Sequence, residues 1–162
     1  MDYTQSKGNL TELQCIASFM EYGVECSIPY GNGAKYDFIA DINGKLLKIQ
    51  CKTAKIIDDN SFMISCVSNT TNTQKTVTHR YTKDMIDYFA TWIFNTVFLI
   101  PVEECSKSKT LRVKPPENNN PNWNDCKNYT IEAQLHLEKL KNNSYNNIKY
   151  YCKNCGKEIN KN

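Results

Sequence analysis

The chain has no run of about 18 apolar residues, so it offers no helix long enough to span a bilayer. Its N-terminal MDYTQSKGNL lacks the apolar core of a secretory signal. An intracellular, cytoplasmic setting with reduced cysteines is therefore expected. Of the eight cysteines, only Cys152 and Cys155 stand at a spacing with chemical meaning. There is no internal repeat, and 162 residues suit one domain with a small appendage. A strong excess of one charge is also missing, because the net charge is +3. Its distribution is uneven, however. Residues 1–106 carry 9 Lys and Arg against 12 Asp and Glu, a balance of −3. Residues 107–162 carry 11 against 5, a balance of +6. That basic part suits a polyanionic partner, and it also suits a solvated lysine-rich tail.

What is present reads as alternating helix and strand patterns. Leu10, Leu13, Ile16, Ala17 and Met20 recur at helical spacing. Asn9 and Glu12 then stand at the N-cap and N3 positions of a capping box, and Gly23 is a stop. VECSIPY (24–30) and SFMISCVSN (61–69) read as strands. Residues 70–81, TTNTQKTVTHRY, read as an exposed loop; TKDMIDYFATWI (82–93) reads as a helix with Thr82 as cap. TVFLIPVEEC (96–105) is a buried strand of the continuous-apolar type, and KTLRVKPP (109–116) is a further strand ended by proline. The Asn-rich 117–126 is a connector, and 129–143 is a last helical candidate. The order predicts a mixed α/β domain.

The stretch YDFIADINGKLLKIQCKTAK (36–55) is the most specific. Asn43-Gly44 predicts a two-residue type I′ turn, because both central positions need positive φ. The turn fixes the register, so paired positions sum to 87: Ile42 faces Lys45, Phe38 faces Ile49, and Asp37 faces Gln50. Alternation then puts Phe38, Ala40, Ile42, Leu47, Ile49 and Cys51 on a core face. Asp37, Asp41, Lys48, Gln50 and Lys52 share the other face. A carboxylate, an amide oxygen and an ammonium thus converge. Mg²⁺ prefers hard oxygen ligands, few of them from protein. Asp37, the Gln50 side-chain carbonyl and the backbone carbonyl of Cys51 could supply them, with Lys52 aiding an attacking water or the charge growing on phosphorus. An ordinary wet sheet face would carry a similar mixture, and Asp41 and Lys48 are read as that alone.

The spacing D37-F-I-A…I49-Q50-C51-K52 resembles the PD-(D/E)xK nuclease superfamily. KGNLTELQ, with Glu12, looks like that superfamily's first helix bearing a Glu near the metal. RYTKDMIDYFATWI and VFLIPVEECSKSKTLRVKPPENNN resemble the branch that includes group I intron-encoded homing endonucleases, so the likeness covers about residues 5–128. Archaeal Holliday junction resolvases look like more distant relatives. Two positions depart from the pattern: Tyr36 stands where Pro is usual, and Gln50 stands where an acid is usual. The resemblance implies a restriction-endonuclease-like α/β fold over residues 1–128, with a basic appendage over 129–162. It implies a Mg²⁺- or Mn²⁺-dependent DNA endonuclease acting as a homodimer. Asp37, Gln50 and the Cys51 carbonyl would hold metal, Glu12 would reach it directly or through water, and Lys52 would assist the nucleophile. The alternatives are a catalytically silent DNA-binding protein, for which Gln50 speaks, and a junction-selective nuclease.

Three further features carry expectations. Lys75, His79, Arg80 and Lys83 form a basic cluster suited to DNA phosphates, or to a solvated loop. Cys152-Lys-Asn-Cys155-Gly is a zinc-knuckle turn, but tetrahedral Zn²⁺ needs four ligands and no Cys or His follows Cys155. Cys105 and Cys126 are the candidates to complete it. Cys15, Cys26, Cys51 and Cys66 read as buried thiols. Tyr81, Tyr88, Phe89 and Trp92 read as core rather than as base-stacking groups.

Overall fold

The computed structural model of the protein describes residues 3–31, 33–72, 75–118, 120–137, 150–151 and 158–159. Helix α1 (Tyr3–Met20) leads into β1 (Glu25–Ser27), β2 (Phe38–Ile42) and β3 (Lys45–Cys51). Next come β4 (Lys55–Asp58), β5 (Ser61–Ser65), β6 (Val67–Asn72) and β7 (Lys75–Arg80). β8 (Tyr88–Ile93), β9 (Thr96–Pro101), β10 (Ser108–Arg112) and a one-turn helix α2 (Ile131–Leu135) follow, and two short strands, β11 (Tyr150–Tyr151) and β12 (Glu158–Ile159), pair at the end.

The main sheet runs β1-β2-β3-β8-β9. Only β3 and β8 pair in parallel; the other neighbours are antiparallel. The link from β3 to β8 contains β4 to β7. Within it, β4 and β5 join β10 in a second sheet, and β6 and β7 form a ribbon of their own. Thr11, Cys15 and Phe19 lie one turn apart on α1, and all three are buried. Cys15 and Phe19 pack against Phe38, Ala40, Leu47 and Ile49, with Phe19 edge-on to Phe38 at 5.3 Å. A second core joins Phe62 and Ile64 of β5 to Phe89, Phe98 and Ile100. Tyr129 and Ile131 are buried too, so packing continues past residue 128. No helix among the described residues is long and apolar enough to cross a membrane.

The β2–β3 hairpin has the expected register, from Ile42 opposite Lys45 to Phe38 opposite Ile49. Asn43 and Gly44 both have positive φ, 53° and 82°. Asp41 Oδ1 accepts from Gly44 N at 2.7 Å, so this acid closes the turn. Lys48 Nζ donates to Asp84 O at 2.7 Å, and Lys48 N donates to Asp87 Oδ2 at 2.8 Å, which fastens β3 to the segment entering β8.

Four expectations are corrected. α1 begins at Tyr3, so Asn9 is no N-cap and Glu12 no part of a capping box. Residues 70–81 are mostly strand, paired from Val67 opposite Arg80 to Asn72 opposite Lys75. Residues 82–93 are not a helix. Thr82 O accepts from Met85 N and Ile86 N, which makes a single turn before strand β8. β8 is central and buried, so its apolar run carries no alternation to separate strand from helix. Its hairpin turn is Phe94-Asn95, both at positive φ without glycine, which left no turn signal in the sequence. The last helical candidate forms only Ile131–Leu135, closing on His136 at φ 54°; residues 138–143 lie outside the described ones.

Candidate active site

The hairpin register carries one step beyond β2. Asp37 N donates to Ile49 O at 2.8 Å, which seats Asp37 beside Gln50. Asp37 Oδ2 accepts from Gln50 Nε2 and from Cys51 N, each at 2.6 Å. Gln50 Nε2 also donates to Cys51 O at 3.3 Å. A carboxylate oxygen and a backbone carbonyl therefore converge on one partly positive NH₂ group. Two oxygens so placed are what a hard cation requires, and the arrangement fits a divalent ion at this point. Gln50 would have to present Oε1 in place of Nε2 to ligate it.

Lys52 continues the same face. Its N–H donates to Ala90 O at 2.8 Å, which extends the β3–β8 pairing. Nζ makes long hydrogen bonds of 3.4 Å to Val67 O and Tyr81 Oη, and it stands 5.0 Å above the Tyr81 ring. Tyr81 in turn packs edge-on against Phe89 at 5.2 Å. Tyr81 is thus core, as expected, and also the partner of Lys52, a role that spacing could not reveal. It is set by the return of the chain from β7 to β8.

Glu12 approaches from α1. Its neighbour Thr11 is buried, and the Thr11 and Thr53 hydroxyls hydrogen-bond at 3.2 Å, so α1 is clamped to the end of β3. The neighbouring Cys15 thiol and burial push the Cys51 thiol up. Burial raises the Glu12 pKa above 4.5, and the Asp37 charge raises it further. Burial likewise lifts Asp37 above 3.8, against the opposing pull of the Cys51 N–H, Gln50 and the Lys52 charge. Two partly desolvated carboxylates that disfavour each other's ionisation gain from a cation placed between them. Among the described residues no cluster of three or more His, Cys, Asp or Glu side chains forms. Asp37, Glu12, Gln50 and the Cys51 carbonyl could hold an ion only with waters and substrate phosphate completing its shell, as Mg²⁺ commonly does.

The basic residues divide. Lys75 opens β7 and His79 and Arg80 close it, both exposed. Lys83 is apart from them: it pairs with Asp87 at 3.5 Å and Glu103 at 3.8 Å, which offsets its charge. Cys152 and Cys155 lie outside the described residues. Cys105 and Cys126 are free thiols in the second core. Cys15 and Cys66 are buried, as expected, whereas Cys26 and Cys51 are only partly so.

The chain matches the PD-(D/E)XK endonuclease family over residues 2–152. No curated protein matches it closely enough to show kinship. Among solved structures, a bacterial homing endonuclease, I-Ssp6803I, superposes with a TM-score of 0.68 over 83% of this chain and 93% of that one, at 18% identity. That likeness shows the fold: a mixed α/β arrangement of the restriction-endonuclease type. The chain belongs to the PD-(D/E)XK endonuclease family, and through it to the hydrolases.

Proposed function

We propose that the protein is a divalent-metal-dependent DNA endonuclease of the homing type, with Asp37, Gln50, Lys52 and Glu12 as its site. One observation carries this reading: Asp37 Oδ2 and the Cys51 carbonyl converge on a single positive group at the end of β3, with Lys52 two residues from Gln50 on the same face. Asp37 and the Cys51 carbonyl would hold Mg²⁺ or Mn²⁺. Gln50 would add a neutral oxygen, and Glu12 would reach the ion directly or through water. The bound ion supplies charge to a phosphate oxygen and acidity to a water. Lys52, with Nζ 5.0 Å above the Tyr81 ring, would place its charge where charge grows on phosphorus. Lys75, His79 and Arg80 would contact flanking phosphates, and Lys83, with acids beside it, would contribute least. A homodimer would supply the second site that cutting both strands needs.

Gln50 also favours a second reading, a DNA-binding protein that does not cut, because an amide brings no charge to the ion. Supercoiled plasmid separates the two. The wild type should nick it with Mg²⁺ or Mn²⁺ and not with EDTA, and Lys52→Ala should lose about 100- to 1,000-fold in rate. A wild type inert on plasmid, linear duplex and four-way junctions alike would leave the silent reading standing. Preference for four-way junctions would make the substrate a junction.

A further inference from the structure

Residues 67–80, VSNTTNTQKTVTHR, contain no acid, and nine of the 14 are Ser, Thr, Asn or Gln. Within this stretch β6 and β7 form a ribbon that pairs with neither of the two larger sheets. Residues 76–80 are all exposed. Successive residues of a strand point to opposite faces, so β7 has both faces in solvent. A strand in a globular domain normally buries one face, and a lone two-stranded ribbon is marginal without a surface to cover. Packing within the domain therefore does not account for the composition of residues 76–80.

The ribbon is fastened to the candidate site at its root. Val67 begins β6 and Tyr81 follows β7, and Lys52 Nζ bonds to both. Beside that root lies a cavity of about 340 Å³ lined by Lys35, Ser68, His79, Arg80 and Tyr81. Lys35 and Arg80 bring positive charge there. Six residues per strand span about 20 Å, the length of roughly six base pairs. A two-stranded ribbon of this width fits the major groove of B-form DNA, where hydrogen-bonding side chains can distinguish base pairs. One pair is already set for that. Asn69 faces Thr78 across the ribbon, and Thr78 Oγ1 donates to Asn69 Oδ1 at 2.9 Å. The bond fixes the amide plane of an exposed asparagine, the side chain that pairs bidentately with adenine.

We propose that the β6–β7 ribbon is the sequence-reading arm of this protein, seated in the major groove of duplex DNA with Asn69 and Thr78 among its base contacts. The proposal rests on the DNA-endonuclease reading for its substrate, and its test uses no cleavage. Full-length protein in Ca²⁺ is mixed with a randomised DNA duplex library, and the bound fraction is sequenced. The wild type should enrich a motif. The double variant Asn69→Ala with Thr78→Val, checked for an unshifted melting transition, should lose about tenfold of the preference at one or two positions. Asn69→Asp, which exchanges amide donors for acceptors, should move the preference at the same positions away from adenine. Recovery of the wild-type motif by both variants would overturn the proposal. So would a wild type that enriches nothing, or that binds an RNA duplex equally well, because the deep narrow major groove of A-form RNA does not admit side chains. Failure of plasmid nicking would count against the nuclease reading and leave these outcomes as they stand.

Discussion

The β2–β3 hairpin and the β6–β7 ribbon are both two-stranded antiparallel units, and they differ in what surrounds them. In the hairpin, Phe38, Ala40, Leu47 and Ile49 are buried against α1, and the opposite face carries Asp37, Gln50 and Lys52. A register slip of one residue would turn the core residues outward, so burial holds the site geometry in place. In the ribbon, no described side chain from 76 to 80 is buried. Residues 76–80 are exposed, and the ribbon's sequence is polar and acid-free. The first unit suits chemistry that needs fixed positions. The second suits recognition that is completed by the partner.

The contrast can be strained from both sides. The largest expected effect is in the hairpin core: Phe38, fully buried, replaced by Ala should cost about 3–5 kcal/mol in urea unfolding. Gln50→Glu should come next. A second carboxylate beside Asp37 should raise Mn²⁺ affinity about tenfold in calorimetry, since ligand charge tunes such sites; an unchanged affinity would place the ion elsewhere. A smaller effect follows from burial of Asp37. Its carboxyl titrates above 3.8 in the folded chain, so the native state holds this proton more tightly than the unfolded one. Stability from this group is then full below that value and falls as pH rises through the raised one. Asp37→Asn cannot ionise, so its stability relative to wild type should rise from about pH 3 to about pH 7. A relative stability that falls over that range would contradict the burial argument. The smallest effect belongs to the ribbon: Val77→Ala should change stability by no more than about 0.5 kcal/mol.

The same contrast explains what the sequence made legible. The hairpin could be read residue by residue because Asn43-Gly44 announces its turn and alternation announces its buried face. The position of Glu12 near Asp37 came from resemblance, and the capping-box pattern around it was misleading because α1 starts six residues before Asn9. The ribbon was hidden because a strand with both faces in water shows no hydrophobic alternation; its β-branched threonines were the signal available. β8 was hidden for the opposite reason, being buried on both faces with a Phe94-Asn95 turn that lacks glycine. The Lys52–Tyr81 contact joins residues 29 positions apart, and no local pattern encodes it.

The central claim is that the Asp37 charge organises metal-dependent hydrolysis, and plasmid nicking by Asp37→Asn tests it most directly. Asparagine keeps an oxygen to accept from Cys51 N and Gln50 Nε2, so the hairpin should stay intact while the charge is gone. With Mg²⁺, at a melting transition no lower than that of the wild type, the rate should fall by at least about 100-fold. Nicking at the wild-type rate would contradict the account.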